Sequence, residues 1–355
     1  MPTIKDVAKL AGVSFKTVSR VINRSPHLKD EMRQKVLRAI DALEYRPHHN
    51  ARHLRTGRSN VLAFINDDIA MTPFAGRIIQ GAQEASWRSG MLLLTLHTGG
   101  DRSFERAAVQ AALERQVEGI IFATMYHRAV EVPKAAFEIP LVLVDCFASN
   151  GPYTGVVPDE TGGGYAATKY LLERGHRRIA MINADLKYPA AVGRLTGYRK
   201  ALKEFGVGFD SGLLRTGGWW QEDGYEQAIS LLKAKPSAIF CVSDRVAMGV
   251  YDALKERGLR IPEDLSVVGF DDQELIAPHL RPALTTVRVP YFEMGSWAVE
   301  YLAESGGAFD KSTPKVVRLD CPLVPRCSVS KPSQRVKIAT LTKSERTSRK
   351  KQRAV

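Results

Sequence analysis

The sequence lacks the features of membrane and exported proteins. None of its apolar runs approaches the roughly 18–20 consecutive residues that a membrane-spanning helix requires. The first residues include Lys5 and Lys9, but no apolar segment follows them as it would in an export signal. With 44% hydrophobic and 25% charged residues, the 355-residue chain is predicted to be a soluble cytoplasmic protein of two or three domains.

Cysteine is also scarce. The four cysteines lie far apart and form no Cys-x-x-Cys pair. Cys146 and Cys241 lie in or beside apolar, strand-like runs, which favours buried reduced thiols over a disulfide or a metal site. The sequence therefore predicts neither a cofactor nor a metal.

Catalytic motifs are missing. None of the eight histidines belongs to an HExxH motif, no GxSxG occurs, and Ser243–Asp244 has no histidine near it in sequence. A triad built from distant residues is a remote alternative, but the prediction is that the chain is not an enzyme. The three glycines of ETGGGYAAT (160–168) could cradle a phosphate, yet the P-loop pattern is absent, so close helix packing is favoured.

Positive charge is in excess and is concentrated at the two ends of the chain. The formal net charge is +13; residues 1–60 hold 13 Lys or Arg against 5 Asp or Glu, and residues 331–355 hold 9 against 1. The segment between them is slightly acidic, with a net charge of −3. A basic head and a basic tail predict contact with a polyanion. For the tail, a merely solvated surface is the open alternative.

Residues 1–46 have the pattern of three short helices. Thr3 and Asp6 are spaced as a capping box for the first helix, Gly12 ends it, and Ser14 is placed to cap the second. Two short helices joined by a tight turn at a glycine predict a helix-turn-helix. Asp30 can open the third helix. The predicted buried stripe of that helix is Met32, Val36, Leu37, Ile40 and Leu43.

The second helix carries polar and basic side chains on its predicted outward face. Lys16 and Arg20 could pair with guanine, at about 1–3 kcal/mol of discrimination each. The helix N-terminus suits a phosphate or a base edge in the major groove of DNA. An ordinary three-helix bundle is the alternative. The predicted DNA contacts of the head are Thr3, Ser14, Phe15, Lys16, Thr17, Ser19, Arg20 and Asn23.

The connector PHHNARHLRTGRSN (47–60) is basic and polar, with one isolated large apolar residue, Leu54. Asn50, Ala51 and Leu54 share one face at helical spacing, as in a short helix that forms on DNA and inserts a leucine wedge into the minor groove. A plain linker with a stray leucine is the alternative. The predicted contacts of this segment are His48, Asn50, Ala51, Leu54 and Arg55.

From Val61 the pattern changes to alternating strands and helices. Continuously apolar runs such as VLAFI, GIIFA and LVLV alternate with helical stretches, one of them over 129–137. The whole set repeats after about 110 residues, as two doubly wound lobes require. The predicted fold is an N-terminal all-α helix-turn-helix head plus an α/β core of two doubly wound parallel-sheet lobes, with a ligand cleft at the strand ends.

The predicted domain boundaries follow these changes of pattern. The head spans 1–46, the hinge helix and linker 47–60, the bilobed core 61–330, and a basic disordered tail 331–355. Within the core, lobe 1 takes about 61–157 and 288–318, and lobe 2 takes about 158–287 and 319–330.

TIKDVAKLAGVSFKTVSRVIN and RPHHNARHLRTGRS resemble the head and hinge signatures of the LacI/GalR family of bacterial transcription regulators. The resemblance continues through ERGHRRIAMI, VSDRVAMGVYDAL and IPEDLSVVGFDD, and covers roughly residues 1–330. It implies a core like that of periplasmic sugar-binding proteins, and a homodimer that reads a near-palindromic double-stranded operator. The hinge leucines would wedge together at the operator centre, and a small effector in the cleft would change DNA affinity. Such a protein belongs with the nucleoid in the bacterial cytoplasm.

The resemblance also implies the effector contacts. Arg194 is positioned to donate hydrogen bonds to two hydroxyls or a carboxylate, and Asp271 to accept them from sugar hydroxyls. Trp219, rather than Trp220, is predicted to stack on a pyranose ring. Helix capping by Asp244 and core packing by either tryptophan are open alternatives. Ser243 departs from the asparagine of several sugar-responsive members. The predicted effector residues are Asp68, Phe74, Asp145, Asp159, Arg194, Trp219, Asp244 and Asp271, with Asp67 beside them.

The predicted function is repression of a carbohydrate uptake or catabolism operon under the control of a sugar-like effector. A corepressor-dependent regulator that responds to a purine or another metabolite is the alternative. A transport-type sugar-binding protein is a remote alternative, because the basic head and the missing export signal argue against it. The tail has no leucine heptad, so a homodimer rather than a tetramer is expected.

Overall fold

The computed structural model describes residues 2–22, 25, 28–45, 58–67, 76–151, 153–304 and 314–332. They form a small helical unit at the N-terminal end and a much larger α/β unit that starts at Val61. Among these residues, no helix combines the length and the apolar character that crossing a bilayer requires.

The N-terminal unit contains three helices, α1 (Ile4–Ala11), α2 (Phe15–Ile22) and α3 (Asp30–Ala42). The predicted capping box is confirmed, since Thr3 N donates to Asp6 Oδ2 at 2.8 Å and Asp6 N donates to Thr3 Oγ1 at 3.4 Å. Gly12 ends α1 with a φ of 67°, a conformation that a side chain would strain. Ser14 Oγ accepts from the Thr17 amide at 3.1 Å, as predicted for the cap of α2.

The three helices enclose a small apolar core. One member of the predicted stripe on α3 is wrong: Leu37 is 39% exposed, because Ala39 rather than Leu37 shares the inward face with Val36. The buried set is Val7, Ala8, Val18, Val21, Val36, Ala39 and Tyr45, with Ile40 and Leu43 packed against it.

The α/β unit contains two six-stranded sheets. The strands of the first are β1 (Val61–Asn66), β2 (Leu92–His97), β3 (Gly119–Val130), β4 (Leu141–Ala148), β5 (Gly155–Pro158) and β11 (Val316–Leu319). They lie in the order β11-β5-β4-β3-β1-β2, and all their pairings are parallel. The strands of the second are β6 (Ile179–Ala184), β7 (Leu214–Gly217), β8 (Ala238–Cys241), β9 (Ser266–Asp271), β10 (Thr285–Arg288) and β12 (Leu323–Val324). Their order is β12-β10-β9-β8-β6-β7, and only β12 runs antiparallel to its neighbour.

Helices cover both sheets, which explains why strands such as β6 and β9 are buried along their whole length. The helices associated with the first sheet are α4 (Gly76–Arg88), α5 (Arg102–Glu114) and α10 (Tyr291–Glu304). Those associated with the second are α6 (Glu160–Glu173), α7 (Pro189–Glu204), α8 (Gln221–Leu232) and α9 (Asp244–Lys255). The chain passes between the sheets three times, after β5, β10 and β11, so β11 returns to the first sheet.

The helix predicted over 129–137 is wrong. β3 continues to Val130, with a shift of register against β4 between Ala123 and Arg128, and only a 3-10 helix at Lys134–Glu138 follows. Pro133 separates the two elements, because its ring fixes φ and removes the amide that a strand or helix would use.

Glycines bring α6 and α7 into close contact, which supports the helix-packing interpretation of ETGGGYAAT. A Cβ on Gly164 would lie 2.3 Å from the carbonyl oxygen of Arg194, and one on Gly197 would lie 2.2 Å from that of Thr161. Only glycine permits such a backbone approach. The contact fixes Arg194, on α7, next to Glu160, the first residue of α6.

The cysteines are free thiols. Cys146 and Cys241 are buried, as the sequence predicts, and Cys321 is buried as well. Cys327 is exposed, because it lies in a bend after the two-residue edge strand β12. Burial raises the pKa of the Cys146 thiol, which keeps it protonated and unreactive.

Candidate functional site

The first turn of α2 projects into solvent. Phe15 begins the helix with 64% of its surface exposed, whereas Val18 and Val21 face the core. The exposed side chains at this end and along the outer face are Ser14, Phe15, Lys16 and Arg20. Thr17 and Ser19 are half-buried beside them. Thr3 is exposed, and its Oγ1 donates a hydrogen bond to Asp6 Oδ2. A projecting helix with two cations on its face has the form and charge that fit the major groove of DNA.

Several predicted contacts lie outside the described residues. For DNA these are Asn23, His48, Asn50, Ala51, Leu54 and Arg55; for the effector they are Asp68 and Phe74. Their roles stay predictions.

A cavity of about 250 Å³ lies where the carboxyl ends of the two sets of strands meet, as the doubly wound pattern predicts. The residues that line it lie on β3 and β4 and at or after the end of β5 in the first lobe, and at or after the ends of β6 to β10 in the second. They are Met125, His127, Asp145, Pro158, Glu160, Tyr188, Ala190, Arg194, Trp219, Trp220, Ser243, Arg245, Asp271, Gln273 and Tyr291.

Arg194 is the central polar group of the second lobe's wall. It is 3% exposed, and its Nε and Nη2 donate to the two carboxylate oxygens of Glu160 at 2.6 and 3.2 Å. Nη2 also lies 3.5 Å from Asp271 Oδ1, and Nη1 donates to the carbonyl oxygen of Val242. Burial opposes a charge here, but the two carboxylates outweigh it and raise the pKa of Arg194 above its usual value. The guanidinium is therefore fixed and permanently charged.

Asp271 ends β9 in an unusual backbone conformation, with a φ of 106°. Gln273 Nε2 donates to its Oδ2 at 3.1 Å. Burial raises the pKa of Asp271 to about 6, although Arg194 acts in the opposite direction. A carboxylate held in a sparsely populated conformation at a strand end is typical of a binding site.

The wall contributed by the first lobe is different, because it contains unsatisfied polar atoms. Asp145 is 2% exposed and has a φ of 55°. Within the described residues, no hydrogen-bond partner reaches Asp145 Oδ1 or His127 Nδ1. Burial, followed by the charge of Glu160, raises the pKa of Asp145 well above its usual value, and burial lowers the pKa of His127. Buried polar atoms without partners are costly, and ligand binding can satisfy them.

Aromatic rings complete the cavity. Trp219 packs edge-on against Tyr188 with ring centroids 5.7 Å apart, and the Arg194 guanidinium lies 5.5 Å from the Trp219 centroid. Trp220 is 60% exposed, and Arg245 lies over its ring at 4.8 Å. Both tryptophans line the cavity. Trp219, the ring predicted from the sequence to stack on the effector, is the more enclosed of the two.

Two predicted effector residues do not line the cavity. Asp244 is fully buried: Thr286 Oγ1 donates to its Oδ1 at 2.6 Å and Gln273 N to its Oδ2 at 2.7 Å, so it holds the loop after β9 in place. Its neighbour Ser243, not Asp244, caps α9. Asp159 caps α6 by accepting from the Gly162 amide at 2.9 Å. These predictions are corrected to structural roles.

Asp67 also has an internal role, since its carboxylate binds Arg128 at 2.9 Å and the Met125 amide at 2.9 Å. It supports the segment that carries Met125 and His127. Among the described residues, no group of three or more His, Cys, Asp and Glu side chains is arranged to hold a metal ion.

Sequence reasoning missed several lining residues, and Glu160 is the most important of them. Its signal was present, because an acidic residue next to the Asp159 cap begins a helix at the crossing between the lobes. The other missed residues are Met125, His127, Pro158, Tyr188, Ala190, Arg245, Gln273 and Tyr291.

Comparison with known proteins places both parts of the chain. The family model for bacterial regulatory proteins of the lacI family matches residues 3–48, and that for a periplasmic binding protein-like domain matches residues 168–329. The transcriptional repressor PurR of Vibrio atlanticus (strain LGP32) is 34% identical over 308 residues, covering 86% of this chain and 92% of the relative. The ribose operon repressor of Haemophilus influenzae (strain ATCC 51907 / DSM 11121 / KW20 / Rd) is 35% identical over 306 residues, with the same coverage.

The chain belongs to the LacI family of bacterial regulatory proteins. This LacI-family protein is a DNA-binding transcriptional regulator and not an enzyme, and its family binds operator DNA and small effectors and forms dimers. Its fold agrees with the lac repressor dimer bound to operator and the anti-inducer ONPF: the TM-score is 0.73 at 26% identity, over 93% of this chain and 99% of that one. The CelR–cellobiose complex gives a TM-score of 0.65 at 30% identity, over 92% and 100%.

Proposed function

We propose that this LacI-family regulator represses a carbohydrate uptake or catabolism operon, and that a sugar-like effector in the cavity controls its affinity for operator DNA. The observation that carries this proposal is the juxtaposition of Trp219 with Arg194 and Asp271 on one wall. A flat ring beside fixed, charged hydrogen-bonding groups is what a pyranose needs, since its apolar face stacks while its hydroxyls bond at the rim.

Two of the compared proteins support a carbohydrate. One is named a ribose operon repressor, and another is a transcriptional regulator in complex with cellobiose. The cavity of about 250 Å³ is of a size for a compact ligand such as a monosaccharide.

The head reads one half of the operator through α2, with Lys16 and Arg20 on base edges and phosphates. The other predicted contacts of this helix, Ser14, Phe15, Thr17 and Ser19, surround them, with Thr3 at the start of α1. Two copies of the chain bind together as a homodimer, and Leu54 wedges into the minor groove between the half-sites. The domain boundaries predicted from the sequence are part of this proposal.

Coupling follows from the cavity having walls in both lobes. A ligand that contacts Asp145 in the first lobe and Trp219 in the second stabilises one arrangement of the lobes over another. The expected change in operator affinity is about 1–3 kcal/mol, which is typical of such coupling. The sign of the change, induction or corepression, is settled by the titration below.

The test is a fluorescence-anisotropy titration of the full-length protein on a labelled promoter fragment from its own operon, with single sugars added. A sugar that shifts operator affinity at least fivefold supports the proposal. A regulator that ignores every sugar but responds to a purine contradicts the carbohydrate assignment.

A purine is the second candidate effector. Relatives named PurR match over most of the chain, and the aromatic rings of Tyr188, Trp219 and Tyr291 could stack on a nucleobase. Adding hypoxanthine and guanine to the same titration separates the two candidates directly.

The cellular location of such a regulator is the bacterial cytoplasm, on the nucleoid. The basic tail, 331–355, adds nonspecific contacts with phosphates, so its removal lowers the slope of log affinity against log salt.

A further inference from the structure

The two walls of the cavity differ in how well their polar groups are satisfied. On the second lobe, Arg194, Glu160, Asp271 and Gln273 form one connected network. On the first lobe, Asp145 Oδ1 has no hydrogen-bond partner among the described residues, although Asp145 is only 2% exposed. The ligand's main polar contact is therefore expected at Asp145.

The charges that line the cavity indicate what kind of group this is. Among the described residues, three carboxyl groups line it (Asp145, Glu160 and Asp271) together with two guanidinium groups (Arg194 and Arg245). Arg194 is paired with Glu160 and Asp271, and no ion pair joins Asp145 to a cation in the part of the chain that the structure describes. Burial and the nearby charge of Glu160 raise the pKa of Asp145, which favours the neutral form of this carboxyl group. A protonated amine beside Asp145 would stabilise the ionised carboxylate, whereas an anion would oppose its ionisation.

The aromatic lining favours a cation as well. Trp219, Trp220, Tyr188 and Tyr291 surround the same space as Asp145. Aromatic faces attract ammonium groups, and aromatic cages that bind quaternary ammonium ligands use this attraction.

We infer that the effector carries a protonated amine that pairs with Asp145, while its ring stacks on Trp219; the ligand class is an amino sugar. This rests on the proposed function, because it specifies the sugar-like effector of the same cavity. His127 Nδ1, the second unsatisfied atom of that wall, accepts or donates one further bond to a neighbouring hydroxyl of the ligand.

The experiment compares matched ligands on the full-length protein by isothermal titration calorimetry. The probes are glucosamine, galactosamine and mannosamine, each with its parent hexose and its N-acetyl derivative. Acetylation removes the charge and keeps the ring, so this comparison does not depend on any variant folding. At least one amino sugar should bind about tenfold or more tightly than both of its neutral counterparts, a difference of about 1.4 kcal/mol.

A variant then assigns the preference to Asp145. Asp145→Asn keeps the shape and removes the charge, and should abolish the amine preference, whereas Glu114→Gln, an exposed carboxylate of α5 that does not line the cavity, should retain it. A parent hexose that binds as tightly as its amine overturns this inference and leaves the sugar-effector proposal standing. If none of these sugars binds while a purine shifts operator affinity in the anisotropy titration above, both are overturned. If no probe binds at millimolar concentration, or if Asp145→Asn retains the preference, the assignment of an amine to Asp145 is wrong.

Discussion

Glu160 and Arg194 form a buried, two-point ion pair between the first residue of α6 and the second turn of α7, with N–O distances of 2.6 and 3.2 Å. The pair lies where the chain first crosses between the lobes, and it positions the guanidinium beneath the ligand cavity. Glycine contacts between the same two helices hold it there.

Breaking this pair should destabilise the protein. Glu160→Ala leaves a buried guanidinium with Asp271 as its remaining carboxylate partner, so the free energy of unfolding should fall by about 3 kcal/mol. Denaturant unfolding followed by circular dichroism measures it. Glu114→Gln, on the surface, should change stability by less than about 0.5 kcal/mol. Equal stability of Glu160→Ala and the wild type would show that the pair does not contribute.

The close contact between α6 and α7 at Gly197 can be tested by comparing the substitution of this glycine with that of a second, uncrowded glycine. Gly197→Ala places a methyl group 2.2 Å from the Thr161 carbonyl oxygen, so α6 and α7 must separate, at a cost of about 1–3 kcal/mol. Gly208→Ala is the control, because nothing lies within 4 Å of its added Cβ and its φ is not positive. Thermal unfolding should separate the two variants by several degrees; identical midpoints would refute the close contact.

Asp271 should make stability depend on pH. Its pKa is raised by burial from an ordinary 3.8 to about 6, so the native state binds the proton more tightly than the unfolded state does. The stabilisation from this group is complete below the unfolded pKa and is lost as pH rises through about 6. Relative to wild type, Asp271→Asn should therefore gain roughly 2–3 kcal/mol between pH 4 and pH 7. Unfolding curves across that range test this, and a constant difference would contradict it.

Lys16 should contribute to sequence discrimination. Lys16→Ala is expected to weaken operator binding by about 1–3 kcal/mol and to relax the preference at one base pair of each half-site. Lys35→Ala, which removes an exposed lysine of α3 paired with Glu31, is the control and should leave base preference unchanged. Binding to a set of single-base operator variants distinguishes the two. A uniform loss over all variants would make Lys16 a phosphate contact only.

The head could be predicted closely from the sequence because its information is local. Thr3 and Ser14 cap the helices that begin beside them, and Gly12 adopts the turn conformation that ends α1. Each of these effects depends only on residues nearby in the sequence. The alternation of buried strands and helices was equally visible, apart from the extension of β3 beyond Ala123, where pairing with β4 outweighed the helical pattern.

The cavity was only partly predictable, because its chemistry depends on which way side chains point after the lobes have formed. Asp145, Arg194, Trp219 and Asp271 lie on its walls, as the family resemblance implied. Asp244 also lies close to the end of a parallel strand, but its carboxylate points into the lobe. There it accepts a hydrogen bond from Thr286, a residue 42 positions away. The helix start at Glu160 is visible in the sequence, but only the tertiary contact between two helices makes its carboxylate the partner of Arg194.

Ligand binding in the cavity is proposed to control the affinity of the head for operator DNA. The most direct test of this control measures operator affinity by fluorescence anisotropy for the wild type and for Trp219→Ala, each with and without the sugar that shifts the wild type. Both proteins are expected to bind the operator equally well without ligand, and only the wild type is expected to respond to the sugar. An undiminished response in Trp219→Ala would contradict the proposed control.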